Sequence, residues 1–109
     1  MIIDFDEIPE MANKEFKGGK LTFYNKVEYD GINKIMMGRL EPGASIGMHT
    51  HYTESEVIYI LEGEGTVIFD DESYPLRPGL CHYCPKGHDH SLVNTSDEML
   101  RFFSVIVTQ

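Results

Sequence analysis

Residues 43–63 read GASIGMHTHYTESEVIYILEG, and the order of polar and apolar positions in this stretch decides the fold class. A glycine stands at each end. Between them, Ser45–His51 and Glu56–Leu61 suit pleated strands, and the polar Tyr52, Thr53, Glu54 and Ser55 between the two form a turn or bulge. Side chains two apart on a strand share a face, so His49 and His51 project the same way with Cβ atoms about 7 Å apart. The odd step from His51 to Glu56 would send Glu56 to the opposite face of an unbroken strand. The interruption lets it open the next strand facing the same interior.

The same punctuation continues in both directions. Gly18-Gly19, Asp30-Gly31, Pro42-Gly43, Gly63-Glu64-Gly65, Asp70-Asp71, Pro78-Gly79, Pro85-Lys86-Gly87 and Thr95-Ser96-Asp97 alternate with short segments rich in Val, Ile, Tyr and Phe. This predicts further strands at Leu21–Val27, Lys34–Leu40, Thr66–Phe69, Ser73–Arg77, Cys81–Cys84, His90–Val93 and Met99–Val107, an all-β sandwich or barrel. Only Glu7–Phe16 has the makings of a short helix, which Pro9 limits. The 109 residues are expected to form one domain, 1–109. Met99–Val107 and Val57–Leu61 are apolar at both sets of alternating positions, so both faces of those strands should be covered. A homodimer is the expected cover, with Ile2, Ile3 and Phe5 as further contacts.

Charge narrows the partners. Eighteen acidic residues against nine basic ones leave a formal charge of −9, which repels nucleic-acid backbones and anionic lipid surfaces. No apolar run approaches the roughly 20 residues of a membrane span, and the acidic start of the chain is unlike a secretory signal, so a cytoplasmic location is expected. Cys81 and Cys84 are spaced C-x-x-C but sit on a predicted strand, where residues three apart face opposite ways. Two reduced, partly buried thiols are expected rather than a disulfide.

His90 arrives from a distant strand, aimed by the turn at Pro85-Lys86-Gly87. Three neutral imidazoles and a carboxylate suit one divalent transition ion: Mn, Fe, Co, Ni, Cu or Zn. Other residues offer themselves as pocket lining. His88 lies in the loop just before His90, and is otherwise solvated. His82 and Tyr83 line the cavity if their strand is phased that way. Arg39 and Arg101 pair with a ligand carboxylate if they point inward, and otherwise form surface or interface ion pairs. Met36, Met37 and Met48 read as core filler.

The spacing of these residues resembles the cupin family. Gly43-(x5)-His49-x-His51-(x4)-Glu56-(x6)-Gly63 reproduces its first motif (43–63), and Gly79-(x5)-Pro85-x-Gly87-(x2)-His90-(x3)-Asn94 its second (79–94). The interval Glu64–Pro78 is short, as in small microbial members. The resemblance implies a double-stranded β-helix, or jelly-roll, barrel with His49, His51, Glu56 and His90 as metal ligands. Gly43, Gly63, Gly79 and Gly87 suit tight turns, Pro85 fixes its own φ, and Asn94 is expected to close a turn through backbone contacts.

Four protein ligands would leave a position of a five- or six-coordinate ion open, at net charge +1, for an anionic or enol-type small molecule. The resemblance covers oxygenases, isomerases, decarboxylases, binding modules and storage proteins, so fold alone does not choose. Oxalate decarboxylases carry an arginine three residues before the first ligand histidine, where this chain has Ile46. Members that have lost the metal replace ligand residues, and here all four remain. The first expectation is a metal-dependent enzyme acting on a small organic acid, phenol or sugar derivative, with no catalytic residue assignable. The alternative is a binding or sensing module without turnover.

Overall fold

A computed structural model describes residues 1–109. Ten strands follow in order: β1 Met11–Lys14, β2 Thr22–Tyr29, β3 Lys34–Leu40, β4 Ser45–Thr50, β5 Glu54–Glu62, β6 Gly65–Phe69, β7 Glu72–Leu76, β8 Cys81–Cys84, β9 Asp89–Val93 and β10 Leu100–Thr108. They pair antiparallel into a six-stranded sheet, β1-β2-β3-β10-β5-β8, and a four-stranded sheet, β4-β9-β6-β7. This is the all-β sandwich or barrel expected from the turn spacing, in the jelly-roll form that the cupin resemblance implies. No helix is long and apolar enough to cross a membrane.

Period-2 burial assigns each strand its inner face. On β10, Leu100, Phe102, Ser104 and Ile106 point inward and alternate with Arg101, Phe103, Val105 and Val107. β3 does the same with Met36, Gly38 and Leu40. These side chains meet Ile46, Val67, Leu76 and Leu92 of the smaller sheet in one core cluster of 13 buried residues. Each large apolar side chain buried in this way contributes on the order of 1.5–3 kcal/mol. Gly38 is required because the Phe102 ring lies against it: a Cβ there would sit 2.5 Å from that ring.

Glu7–Phe16 is not a helix. Its centre is the edge strand β1, flanked by two short 3-10 turns at Phe5–Glu7 and Phe16–Gly18. Met11, Ala12, Asn13 and Lys14 pair with Asn25, Tyr24, Phe23 and Thr22 of β2, so a sheet edge in need of a partner overrides local propensity. The motif glycines occupy their turns as expected, with Gly63 at φ 82° and Gly87 at φ 90°. Asn94, 1% exposed, donates through Nδ2 to the carbonyls of Leu40 and Glu98 and accepts from the backbone N–H and hydroxyl of Ser96. It closes a turn, as read from the sequence.

Candidate metal centre

β4 and β9 place His49 directly opposite His90 in the antiparallel register. A register shift between Ile46 and His49 turns both Ile46 and His49 toward the interior although they are three apart. β4 ends at Thr50, and the turn through His51, Tyr52 and Thr53 leads to β5, which carries Glu56 inward. The four side chains therefore come from both sheets and the turn joining them.

Their donor atoms converge. His49 Nε2 lies 3.2 Å from His51 Nε2 and 3.2 Å from His90 Nε2, and the last two are 3.0 Å apart. Glu56 Oε1 is 3.1 Å from both His51 Nε2 and His90 Nε2. Three imidazole nitrogens facing one another cannot all be satisfied by protons, because each Nε2 offers either one hydrogen or one lone pair. A cation satisfies them at once. An ion with ligands at about 2.0–2.1 Å sets neighbouring donors about 2.9–3.4 Å apart, the spacing seen here. The cluster thus fits one metal ion, and the chemistry of the donors, N3O, suits a divalent transition metal.

Each of the four also has its far atom held. His49 Nδ1–H donates to the Gly47 carbonyl at 2.7 Å, and His51 Nδ1–H to Glu54 Oε1 at 3.0 Å. His90 Nδ1 is 3.0 Å from His82 Nε2, and Ser104 Oγ donates to Glu56 Oε2 at 2.5 Å. With every Nδ1 occupied, every Nε2 is free for the centre, and such outer partners fix ring orientation and tautomer.

Titration follows the same contacts. Burial lowers the pKa of His49, with an opposing pull from Gly47. The hydrogen bond to Glu56 raises that of His51. Burial would raise the Glu56 carboxyl, but the hydrogen bonds from His51, His90 and Ser104 outweigh it and hold the group well below the usual carboxylate range. Burial, reinforced by His90, lowers His82 to about 4, so His82 stays neutral and able to accept from His90.

The other sequence candidates are placed elsewhere. His82 is buried behind His90 rather than lining the cavity, and Tyr83 faces outward, 54% exposed. His88 pairs with Asp70 at 2.5 Å and stacks on Phe69. Arg39 lies on the outer side of the large sheet, bonded to Glu10 at 2.6 Å and stacked 3.8 Å over Tyr24, while Arg101 pairs with Glu62 at 3.2 Å. None of these five borders the cavity. Both cysteines are free, but only Cys84 is buried; Cys81 is exposed. Cys84 lies within reach of His82 and His90, yet burial pushes its thiol up to about 11, away from the thiolate that binds metal.

A cavity of about 410 Å³ opens above the cluster. His49, His51, Glu56 and His90 form one part of its wall, and Phe16, Phe23, Asn25, Met36, Ile46 and Phe102 line the remainder with others. Lys17 and Lys34 stand exposed at its rim. Of the residues that build the site, Gly47, Glu54 and Ser104 as orienting partners and Asn25 as lining escaped the sequence reading, and His82, expected as lining, instead stands behind His90. One signal was available for Ser104, a lone hydroxyl at an inward position of an otherwise apolar strand.

Residues 36–106 match the family model described as Cupin domain. The chain is 38% identical over 69 residues to an oxalate-binding protein of Thermotoga maritima, a match covering 63% of this chain and 57% of that protein. It is 29% identical over 97 residues to the polyketide synthase CurC of Streptomyces cyaneus, covering 87% of this chain and 63% of that one. The matches thus span about three-fifths of these curated relatives. Among solved structures, a predicted oxalate decarboxylase from Thermotoga maritima superposes with a TM-score of 0.93 at 28% identity, over 100% of both chains.

Proposed function

The chain belongs to the cupin family, and from that premise we propose that it holds one divalent transition-metal ion between His49, His51, Glu56 and His90 and acts there as an enzyme on a small organic acid, phenol or sugar derivative. The observation that carries this reading is the mutual approach of three imidazole Nε2 atoms to 3.0–3.2 Å, each with its Nδ1 engaged elsewhere. A bound ion supplies Lewis acidity or, if redox-active, oxygen activation. The protein's part is positional and electrostatic. Three neutral imidazoles and the Glu56 carboxylate leave the loaded site at net +1, which favours an anionic or enol ligand. The apolar cavity walls exclude water and strengthen that attraction.

Binding without turnover is the second reading, favoured by the name of the relative that binds oxalate. The free cysteines fit the reducing cytoplasm, and the apolar outer face of the large sheet fits pairing of two copies. The test has two stages. Protein prepared without a nickel column is assayed for metal by elemental analysis, alongside His49→Ala, His51→Ala, His90→Ala, Glu56→Gln and His88→Ala. One ion per chain is expected, lost sharply in the three histidine variants, less in Glu56→Gln and not in His88→Ala. Full occupancy after His51→Ala or His90→Ala would sink the ligand assignment. The loaded protein is then mixed with organic acids, enediols and phenols, with and without oxygen. Product formation or oxygen uptake supports the enzyme, and saturable binding of unchanged ligand supports the module.

A further inference from the structure

We propose that the cavity takes an aryl or similarly flat cyclic acid, with its anionic oxygens at the four-residue cluster, its ring against Phe16, and a second oxygen substituent at Asn25. This rests on the metal reading above and names the ligand class that reading leaves open. Asn25 is the first reason. It is 91% buried, being 9% exposed, and it borders the cavity. The orientation of its amide is determined. Asn13 Nδ2 lies 3.0 Å from both the Phe23 carbonyl and Asn25. A carbonyl only accepts, so that Asn13 atom is a donor, and the Asn25 atom facing it must be Oδ1. Asn25 therefore presents its NH2 to the cavity, and no protein group accepts from it. No side-chain donor is sealed from solvent without a partner, so this NH2 meets cavity water, and a ligand oxygen placed there takes that water's place.

Aromatic lining is the second reason. Phe23 stacks on Phe102 at 5.9 Å with only 12° between the rings, and Phe16 packs on Phe23 at 5.4 Å. Phe23 and Phe102 are 2% and 0% exposed, so they back the wall, and half-buried Phe16 is the ring that offers a flat ligand a stacking face. Size agrees. The 410 Å³ falls in the range of roughly 300–1,000 Å³ typical of pockets for drug-sized ligands. Oxalate, with six heavy atoms, would leave most of this apolar space unfilled. Charge agrees as well. No buried cationic side chain lines the wall, where Ile46 is apolar, and the two lysines stand at the rim, where they attract an anion into a chain of net charge −9.

Position distinguishes the two ends. In the sheet register, Glu56 lies in the row of Ile106 and Lys34, whereas Asn25 lies in the row of Gly38 and Phe102, further along β10 and three strands away from β5. A ligand touching both must be elongated.

The test uses full-length protein shown to hold one metal per chain, titrated calorimetrically with oxalate, phenylpyruvate and 4-hydroxyphenylpyruvate. The two aryl acids should bind at least tenfold more tightly than oxalate, and the hydroxylated one several-fold more tightly than its parent. Asn25→Leu should erase the difference between the aryl acids while metal content stays at one per chain. Phe16→Ala, at a half-buried position, should weaken both aryl acids several-fold more than oxalate, and it keeps the test open should Asn25→Leu fail to fold. Oxalate binding as tightly as phenylpyruvate in metal-loaded protein overturns this inference and leaves the metal reading standing. Absence of a bound ion in protein offered metal overturns both.

Discussion

At the scale of single residues, the site depends on what stands behind its ligands. His82 does not touch the cavity, but it receives the Nδ1 proton of His90 and so leaves Nε2 as the donor. His82→Phe keeps the volume and removes the acceptor; metal affinity should fall about 10- to 100-fold, with His82→Gln recovering part of it. Competition against a chelator measures the loss, and an unchanged affinity in His82→Phe would assign His82 to packing alone. The pH dependence has a definite sign. Metal requires neutral imidazoles, and Glu56 holds a proton on His51 to above the ordinary value near 6.5. Affinity should therefore climb with pH until His51 has lost its proton. Below that point it should fall about tenfold per unit, and more steeply once further imidazoles protonate. Burial lowers His49, so His49 joins this competition last. Calorimetric titrations from pH 8 to 5.5 would show a flat profile if the metal were held elsewhere. The cluster of His49, His51, Glu56 and His90 was legible because its spacing is written in one dimension. The orienting partners were not, because Gly47, Glu54, His82 and Ser104 have no fixed spacing and meet the ligands only after folding.

At the scale of elements, the segment before β2 is what the sequence reading missed. Phe16–Gly18 lies against β4, and the fit is backbone on backbone: a Cβ on Gly47 would stand 2.0 Å from the Lys17 carbonyl oxygen. Gly47→Ala should therefore displace this turn and cost about 1–3 kcal/mol by overpacking, seen as a lowered melting temperature of metal-free protein. It should also weaken metal binding, since the Gly47 carbonyl anchors His49. An unaltered melting temperature would show that the turn is not seated there. Local pattern concealed this. Residues 7–16 offer helical composition, while their actual partner, the free edge of β2, appears only once β2 exists. Strands bounded by glycine and proline were readable to within a residue or two. The phase of β8 was not, because Cys81, His82, Tyr83 and Cys84 mix polar and apolar character on both faces.

At the scale of the whole molecule, the outer face of the six-stranded sheet is unusually apolar. Tyr83, Val57 and Val105 form one cross-strand row, and Tyr59, Phe103 and Met37 another, with Val57 37% and Tyr59 42% exposed. Phe5 packs on Phe103 of its own chain at 6.4 Å, so the N-terminal turn covers only part of the face. A contiguous apolar patch of this kind suits the pairing of two copies proposed above. Light scattering at micromolar concentration should return twice the 12.5 kDa chain mass, and Val57→Lys with Tyr59→Lys should return one; a monomeric wild type ends the idea. A last consequence concerns descent. The family match starts at residue 36, whereas Asn13, Phe16, Phe23 and Asn25 all precede it. The cluster that would hold the metal lies wholly within the matched stretch, while Phe16 and Asn25 lie outside it. On the two proposals above, a duplicated copy that changed Asn25 alone should acquire a different ligand preference with the metal cluster untouched.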